Sequence, residues 1–79
     1  MFIMEEFEIG NVVRLKSGGP EMTIQRFIGS DKTNFGLKTA DEFYKMKGFK
    51  EGDLICQWFS DNHVKDGAFL RSSVIKIRD

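Results

Sequence analysis

The sequence predicts a small, mainly β domain: about five short strands in a small barrel or strongly bent sheet, with one short helix inserted in a long middle connection. Three observations predict it. Two alternating, β-branched runs flank the turn Ser17-Gly18-Gly19-Pro20; a dense apolar run, "LICQWF", follows Gly52-Asp53; and "VIKIR" closes the chain. The 79 residues make one domain, near the lower limit at which an apolar core supports a fold without staples. Hydrophobic residues are 41% of the chain and eight are phenylalanine, enough core material to argue against disorder.

Residues 1–6 read as a flexible N-terminus. Their short apolar start runs into glutamates and lacks the basic region and longer apolar run of a signal peptide. In "FEIGNVVRLK", Val13 and Leu15 point one way and Val12, Arg14 and Lys16 the other. After the Gly-Gly-Pro break comes "EMTIQRFI", with Met22 and Ile24 on one face, so the pair reads as a β-hairpin.

The connection 29–53 breaks the β pattern. Thr39-Ala40-Asp41-Glu42 has the form of a capping box, Leu37 and Phe43 stand at the spacing of a hydrophobic staple, and Gly48 sits where a helix would end. These signals predict a helix over about residues 40–47, too short to be helical alone in water. It is expected to dock through Phe43 and Met46 onto Ile55 and Phe59.

In "LICQWF" the residues Leu54, Cys56 and Trp58 are wholly apolar, whereas the alternate face carries Gln57. Burying Gln57 unpaired would cost on the order of 1–3 kcal/mol, so Leu54, Cys56 and Trp58 are expected inward. "SDNHVKDG" reads as a polar turn, "AFLRSS" as the next strand, and in "VIKIR" Ile75 and Ile77 alternate with Lys76 and Arg78.

Two stretches carry a family resemblance. Phe7, Gly10, Val12-Val13, the run Leu15-Lys16-Ser17-Gly18-Gly19-Pro20 and Met22-Thr23-Ile24 resemble the N-terminal signature of the YodC-like small bacterial proteins. Cys56-Gln57-Trp58-Phe59 resembles the second signature, and Phe69 falls at a late aromatic position. The likeness covers about residues 7–28 and 54–75; the connection 29–53 departs from the pattern by its length. The resemblance implies an SH3-like β domain and assigns no catalytic residue, because that family is of uncharacterised function.

The candidate sites are few. Lys16, Ser17, Gly18, Gly19 and Pro20 could cradle an anion on backbone N–H groups, but a strand rather than a helix follows, which favours a plain hairpin corner. Cys56 and His63 are the one nucleophile–base candidate, and alternation buries Cys56, where a thiol acts as a small hydrophobe. One cysteine and one histidine are too few for the usual zinc sets, and Asp61, His63 and Asp66 read as a solvated turn. No metal and no cofactor is expected.

Two surfaces remain. Phe59, Tyr44 and Phe43 could line an aromatic peptide groove, set against the alternative of a satellite core under the connection. If the first and last strands are neighbours, as in SH3-like barrels, Arg14, Lys16, Lys76 and Arg78 would form a basic stripe for nucleic acid or an acidic protein. Glu5, Glu6 and Glu8 lie close enough in sequence to neutralise it. Twelve basic and twelve acidic residues cancel, which argues against a nucleic-acid role. The lone cysteine fits a reducing cytoplasm, and no stretch approaches the ~20 apolar residues of a membrane span. The expected function is therefore non-catalytic: a cytoplasmic protein-interaction module with an unidentified protein partner and no membrane role. Nucleic-acid binding is the alternative, and an enzyme centred on Cys56 and His63 the least favoured.

Overall fold

The computed structural model describes residues 7–30 and 33–79; the segment 1–6, expected to be flexible, lies outside them. The order of elements is β1 (Val12–Leu15), β2 (Met22–Phe27), α1 (Phe35–Met46), β3 (Leu54–Ser60), β4 (His63–Phe69) and β5 (Val74–Arg78). A 3-10 turn, Arg71–Ser73, precedes β5. All pairings are antiparallel, in one sheet ordered β4-β3-β2-β1-β5, so the first and last strands are neighbours. The fold is mainly β and consistent with a small SH3-like barrel.

The first hairpin turns where the glycines are. Gly18 and Gly19 adopt φ of 106° and 122°, a region a Cβ resists. The N–H of Gly18 donates to the Leu15 carbonyl at 2.9 Å, closing the corner. Beyond it Met22 and Ile24 face inward and meet Val13, Leu54, Cys56 and Val74 in a buried cluster. Phe7, Leu15, Phe27, Trp58 and Phe69 pack around that cluster. Trp58 and Phe69 meet edge to face, with ring centroids 5.9 Å apart. The expected inward set of β3 is thus in place, and Gln57 rises from the opposite face beside Thr23.

The C-terminal half differs from the expectation in its boundaries. "SDNHVKDG" is not a loop. Asp61 and Asn62 both take left-handed conformations, with φ of 52° and 63°, and make a two-residue hairpin turn closed by the pair Ser60 and His63. β4 then runs along the edge of the sheet, where His63 to Asp66 are all exposed, so no alternation of apolar residues marks it. "AFLRSS" is divided: Ala68 and Phe69 end β4, and Arg71–Ser73 turns into β5. In β5 the core residue is Val74, while Ile75 and Ile77 are half-buried.

The helix is longer than predicted and capped elsewhere. Asn34 is its N-cap: the side-chain oxygen accepts the Leu37 N–H at 3.1 Å. Thr39 lies inside the helix, where its hydroxyl donates to the Phe35 carbonyl one turn back at 3.0 Å. The helix ends at Lys47 and the chain leaves it at Gly48, as expected. Its docking also differs. Phe43 and Met46 are exposed, and the buried residue is Asp41.

Asp41 accepts from Arg26 at 2.7 Å and from the backbone N–H of Gly29 at 2.8 Å. Removing a partner from such a pair strands a poorly hydrated charge. Asp41→Ala should therefore cost about 3 kcal/mol in urea unfolding. In the same assay Asn34→Ala should cost about 1 kcal/mol as the loss of a cap, and Thr39→Ala close to nothing. Equal losses at Asn34 and Thr39 would contradict the cap assignment.

Candidate functional site

The outer face of the sheet is organised by a bulge in β2. Ile24 pairs with Cys56, yet Arg26 pairs with Ile55 and Phe27 with Leu54, so Gln25 is the inserted residue. Strict alternation from Ile24 would aim Arg26 into the core. The bulge instead sets it on the outer face, paired with Ile55, where it meets Asp41 of α1. Ile55 is buried on this side of β3. The expected docking of Phe43 and Met46 onto Ile55 and Phe59 is not what holds the helix: Phe43, Met46 and Phe59 are all exposed, and α1 is tied to the end of β2 by Asp41, which meets Arg26 and the N–H of Gly29.

Phe59 lies four residues further along the same face of β3 and is 68% exposed. Its direct cross-strand partner is Val64, 62% exposed, so the two form one apolar patch near the hairpin tip. Phe43, Tyr44 and Phe49 make a separate aromatic chain, with centroid separations of 6.3 Å and 6.1 Å. Among the described residues no ring contact joins Phe59 to Tyr44 or Phe43. The candidate groove is therefore resolved into two aromatic surfaces, one on the hairpin and one on the helix.

The basic residues are distributed over both faces of the β1–β5 pair. Arg14 stands opposite Ile75, whereas Lys76 stands opposite the core residue Val13, so Arg14 and Lys76 rise on opposite sides. Lys16 lies beyond the end of β1, and its N–H donates to the Ser73 carbonyl at 2.9 Å. Arg78 pairs with Glu21 at 2.6 Å and Lys76 with Asp79 at 3.3 Å. In the Lys16 to Pro20 turn, the N–H groups of Lys16 and Gly18 are both spent on carbonyls, leaving few for an anion.

Cys56 is fully buried opposite Gly67, and desolvation pushes its thiol up to about 11. His63 is paired with Ser60, four residues along β3, which places it about 13 Å from Cys56. Asp61 pairs with Lys65 at 3.8 Å, and no group of metal-ligating side chains is gathered among the described residues.

Two polar anchors escaped the sequence reading. Asp53 is buried, accepting from the N–H groups of Lys50 at 2.8 Å and Arg71 at 3.1 Å. Arg71 caps the rings of Phe7 and Phe27 at 5.1 and 5.7 Å and donates to the Gly52 carbonyl at 2.9 Å. Asp41 left a readable trace: it interrupts the apolar face Leu37, Tyr44 at helical spacing, the place where an acid needs a partner.

Comparison with known proteins places the chain in a family. Residues 8–74 match the model of an uncharacterised small protein family, DUF2158, and the chain belongs to it. No curated protein and no solved structure matches it. No helix among the described residues is long and apolar enough to cross a membrane.

Two predictions concern the residues placed here. The Cys56 thiol is neutral in the fold, because burial raises its pKa above the ordinary value of 9.0 to about 11. The folded state thus holds the proton more tightly than the unfolded chain. Its contribution is intact below pH 9 and is lost as pH rises toward 11. Labelling by a thiol reagent in native buffer should be far slower than in denaturant, and Cys56→Ala should flatten the alkaline loss of stability. For the turn, Gly18→Val should lower the melting temperature by several degrees, about 1–2 kcal/mol. Added phosphate should leave the wild-type melting temperature unchanged. A phosphate-dependent rise that disappears in Lys16→Ala would restore the anion reading.

Proposed function

We propose that this member of the DUF2158 family acts by binding rather than catalysis, as a protein-interaction module of the bacterial cytoplasm with an aromatic contact surface. The observation that carries the reading is the Phe59–Val64 pair, directly opposed on β3 and β4 and exposed at 68% and 62%. Leaving such side chains in water forgoes about 1.5–3 kcal/mol each, which a covering partner recovers. Tyr44 and Phe43, on α1, form a second aromatic surface in contact with each other rather than with Phe59. The resemblance to YodC-like proteins is consistent with the family membership. Nucleic-acid binding by Arg14, Lys16, Lys76 and Arg78 has less support, since Arg78 and Lys76 are engaged with carboxylates and the net charge is zero. The reading requires no cofactor.

Affinity capture from the native cell tests it with three baits: wild type, Phe59→Ser, and Arg14→Ser with Arg78→Ser. A protein partner should be retained by the first and third and lost by the second, with the melting temperature of Phe59→Ser nearly unchanged because the side chain is already exposed. Retention by Phe59→Ser overturns the reading. So does tight binding to single-stranded or duplex nucleic acid that falls steeply with salt.

A further inference from the structure

β4 lies at one edge of the sheet and pairs with β3 alone. The turn at Asp61 and Asn62, both left-handed, closes on Ser60 and His63, and a two-residue turn of this kind ends in a pair that exchanges both hydrogen bonds. Such pairs alternate along an antiparallel ladder, so Trp58–Lys65, Cys56–Gly67 and Leu54–Phe69 are bonded pairs. The intervening residues Val64, Asp66 and Ala68 aim their N–H and C=O groups away from β3. Among the described residues no other backbone meets them.

Native edges are blunted by shortness, bulges, proline or cover. β5, the opposite edge, is five residues long, and its pairing with β1 shifts register between Val12 and Val13. β4 is seven residues long, holds no proline, and pairs with β3 without a shift. Lys65 is a charge of the kind that blunts an edge, but its side chain stands on the Trp58 side, drawn toward Asp61 at 3.8 Å. Val64, Asp66 and Ala68 stand opposite Phe59, Gln57 and Ile55, so the residues with free backbone groups also share the face of the exposed aromatic. Asp66 is exposed, and no cation pairs with it among the described residues.

We propose, on the reading that the Phe59–Val64 patch is a protein-contact surface, that the partner binds β4 as an added strand. The occupant is an extended segment of another protein whose residues read apolar, basic, apolar on the face shared with Val64, Asp66 and Ala68. The backbone sets its form: a protein matches unpaired N–H and C=O groups at strand spacing with another extended chain. The side chains set its pattern. An apolar residue beside Val64 prolongs the row that begins at Phe59, a cation beside Asp66 answers its charge, and a second apolar residue lies beside Ala68. A second copy of the chain fits poorly. A two-fold axis at Asp66 or at Lys65 sets that charge against its own copy. An axis at Gly67 carries the pairing onto Leu70, whose carbonyl already accepts the Ser73 N–H at 2.9 Å.

Amide hydrogen exchange tests the strand. In the free protein the N–H groups of Lys65, Gly67 and Phe69 should be protected, and those of Val64, Asp66 and Ala68 should exchange rapidly. An end-blocked peptide with valine, lysine and valine on one face and threonine on the other should slow exchange at Val64, Asp66 and Ala68 by about tenfold or more at saturation. The same peptide N-methylated on the residues facing β4 should not. Asp66→Pro removes a donor that the fold does not use, so it should keep the melting temperature near that of the wild type and weaken peptide binding about tenfold or more. Asp66→Lys should prefer the peptide with glutamate in place of lysine. Unchanged exchange at Val64, Asp66 and Ala68 under saturating peptide overturns the proposal, as does equal binding of the N-methylated form. Protection there that grows with protein concentration, without peptide, overturns it in favour of a second copy. In affinity capture, a partner lost by Phe59→Ser but kept by Asp66→Pro overturns strand addition and leaves the patch. A partner kept by Phe59→Ser but lost by Asp66→Pro overturns the patch and leaves the strand.

Discussion

One inserted residue in β2 governs how the helix meets the sheet. Ile24 and Phe27 both face the core, and only a bulge at Gln25 allows Arg26, between them, to leave it. Arg26 then meets the Asp41 carboxylate, whose second oxygen takes the N–H of Gly29. Gly29 is itself constrained: its φ is 82°, and a Cβ there would stand 2.6 Å from Glu51 Cγ. A bulge, a glycine and an ion pair thus form one unit at the end of β2. The orientation of α1 depends on all three.

An anchor of this kind has a different effect from an apolar stripe. Twelve residues cannot sustain a helix in water, so α1 needs tertiary contact. Apolar docking would be stronger per unit area but indifferent to small rotations about the helix axis. A carboxylate with both oxygens engaged, nearly excluded from water, tolerates no such rotation, because any slip leaves a buried charge unpaired. The net stabilisation of such a pair is small after desolvation, but its orientational effect is large. This is why Phe35 and Met46 can stay in water: with Asp41 held inward, the geometry of the helix carries them to the far side.

The strands with one buried face were legible in the sequence, and the rest was not, for identifiable reasons. Val13, Met22, Ile24, Leu54 and Cys56 alternate as a half-buried sheet demands, and all are in the core. β4 is an edge strand with both faces exposed toward its tip, so it carries no alternation and looked like a loop. The helix start was misplaced because Thr39 and Glu42 match a capping box that a helix already begun at Asn34 has no use for. Of the candidate surfaces, the outward placement of Phe59 followed from the same strand logic that turned Trp58 toward the core, but its exposure did not, because the helix expected to dock on it through Phe43 and Met46 leaves both of them in water. The separation of Arg14 from Lys76 did not, because it depends on register between two strands remote in the chain. Bulges, registers and long-range ion pairs are properties of pairs of segments, and a single segment carries no sign of them.

Zero net charge conceals an uneven distribution. Around the sheet, cations are matched locally: Arg26 by Asp41, Arg78 by Glu21, Lys76 by Asp79 and Lys65 by Asp61. The exposed pairs add little stability, but they cancel the field that a run of four basic residues would otherwise project. Along α1 the balance is different, with Lys38, Lys45 and Lys47 facing outward against Glu42. Three exposed apolar side chains, Phe35, Phe43 and Met46, stand on the same short helix, while Phe59 and Val64 stand on the β3–β4 hairpin. The core beneath the sheet shares no residue with that helix, so changes on the exposed side of α1 and changes in the core should affect stability almost independently. The exception is the Arg26–Asp41–Gly29 unit, where loss of stability and loss of helix orientation are the same event.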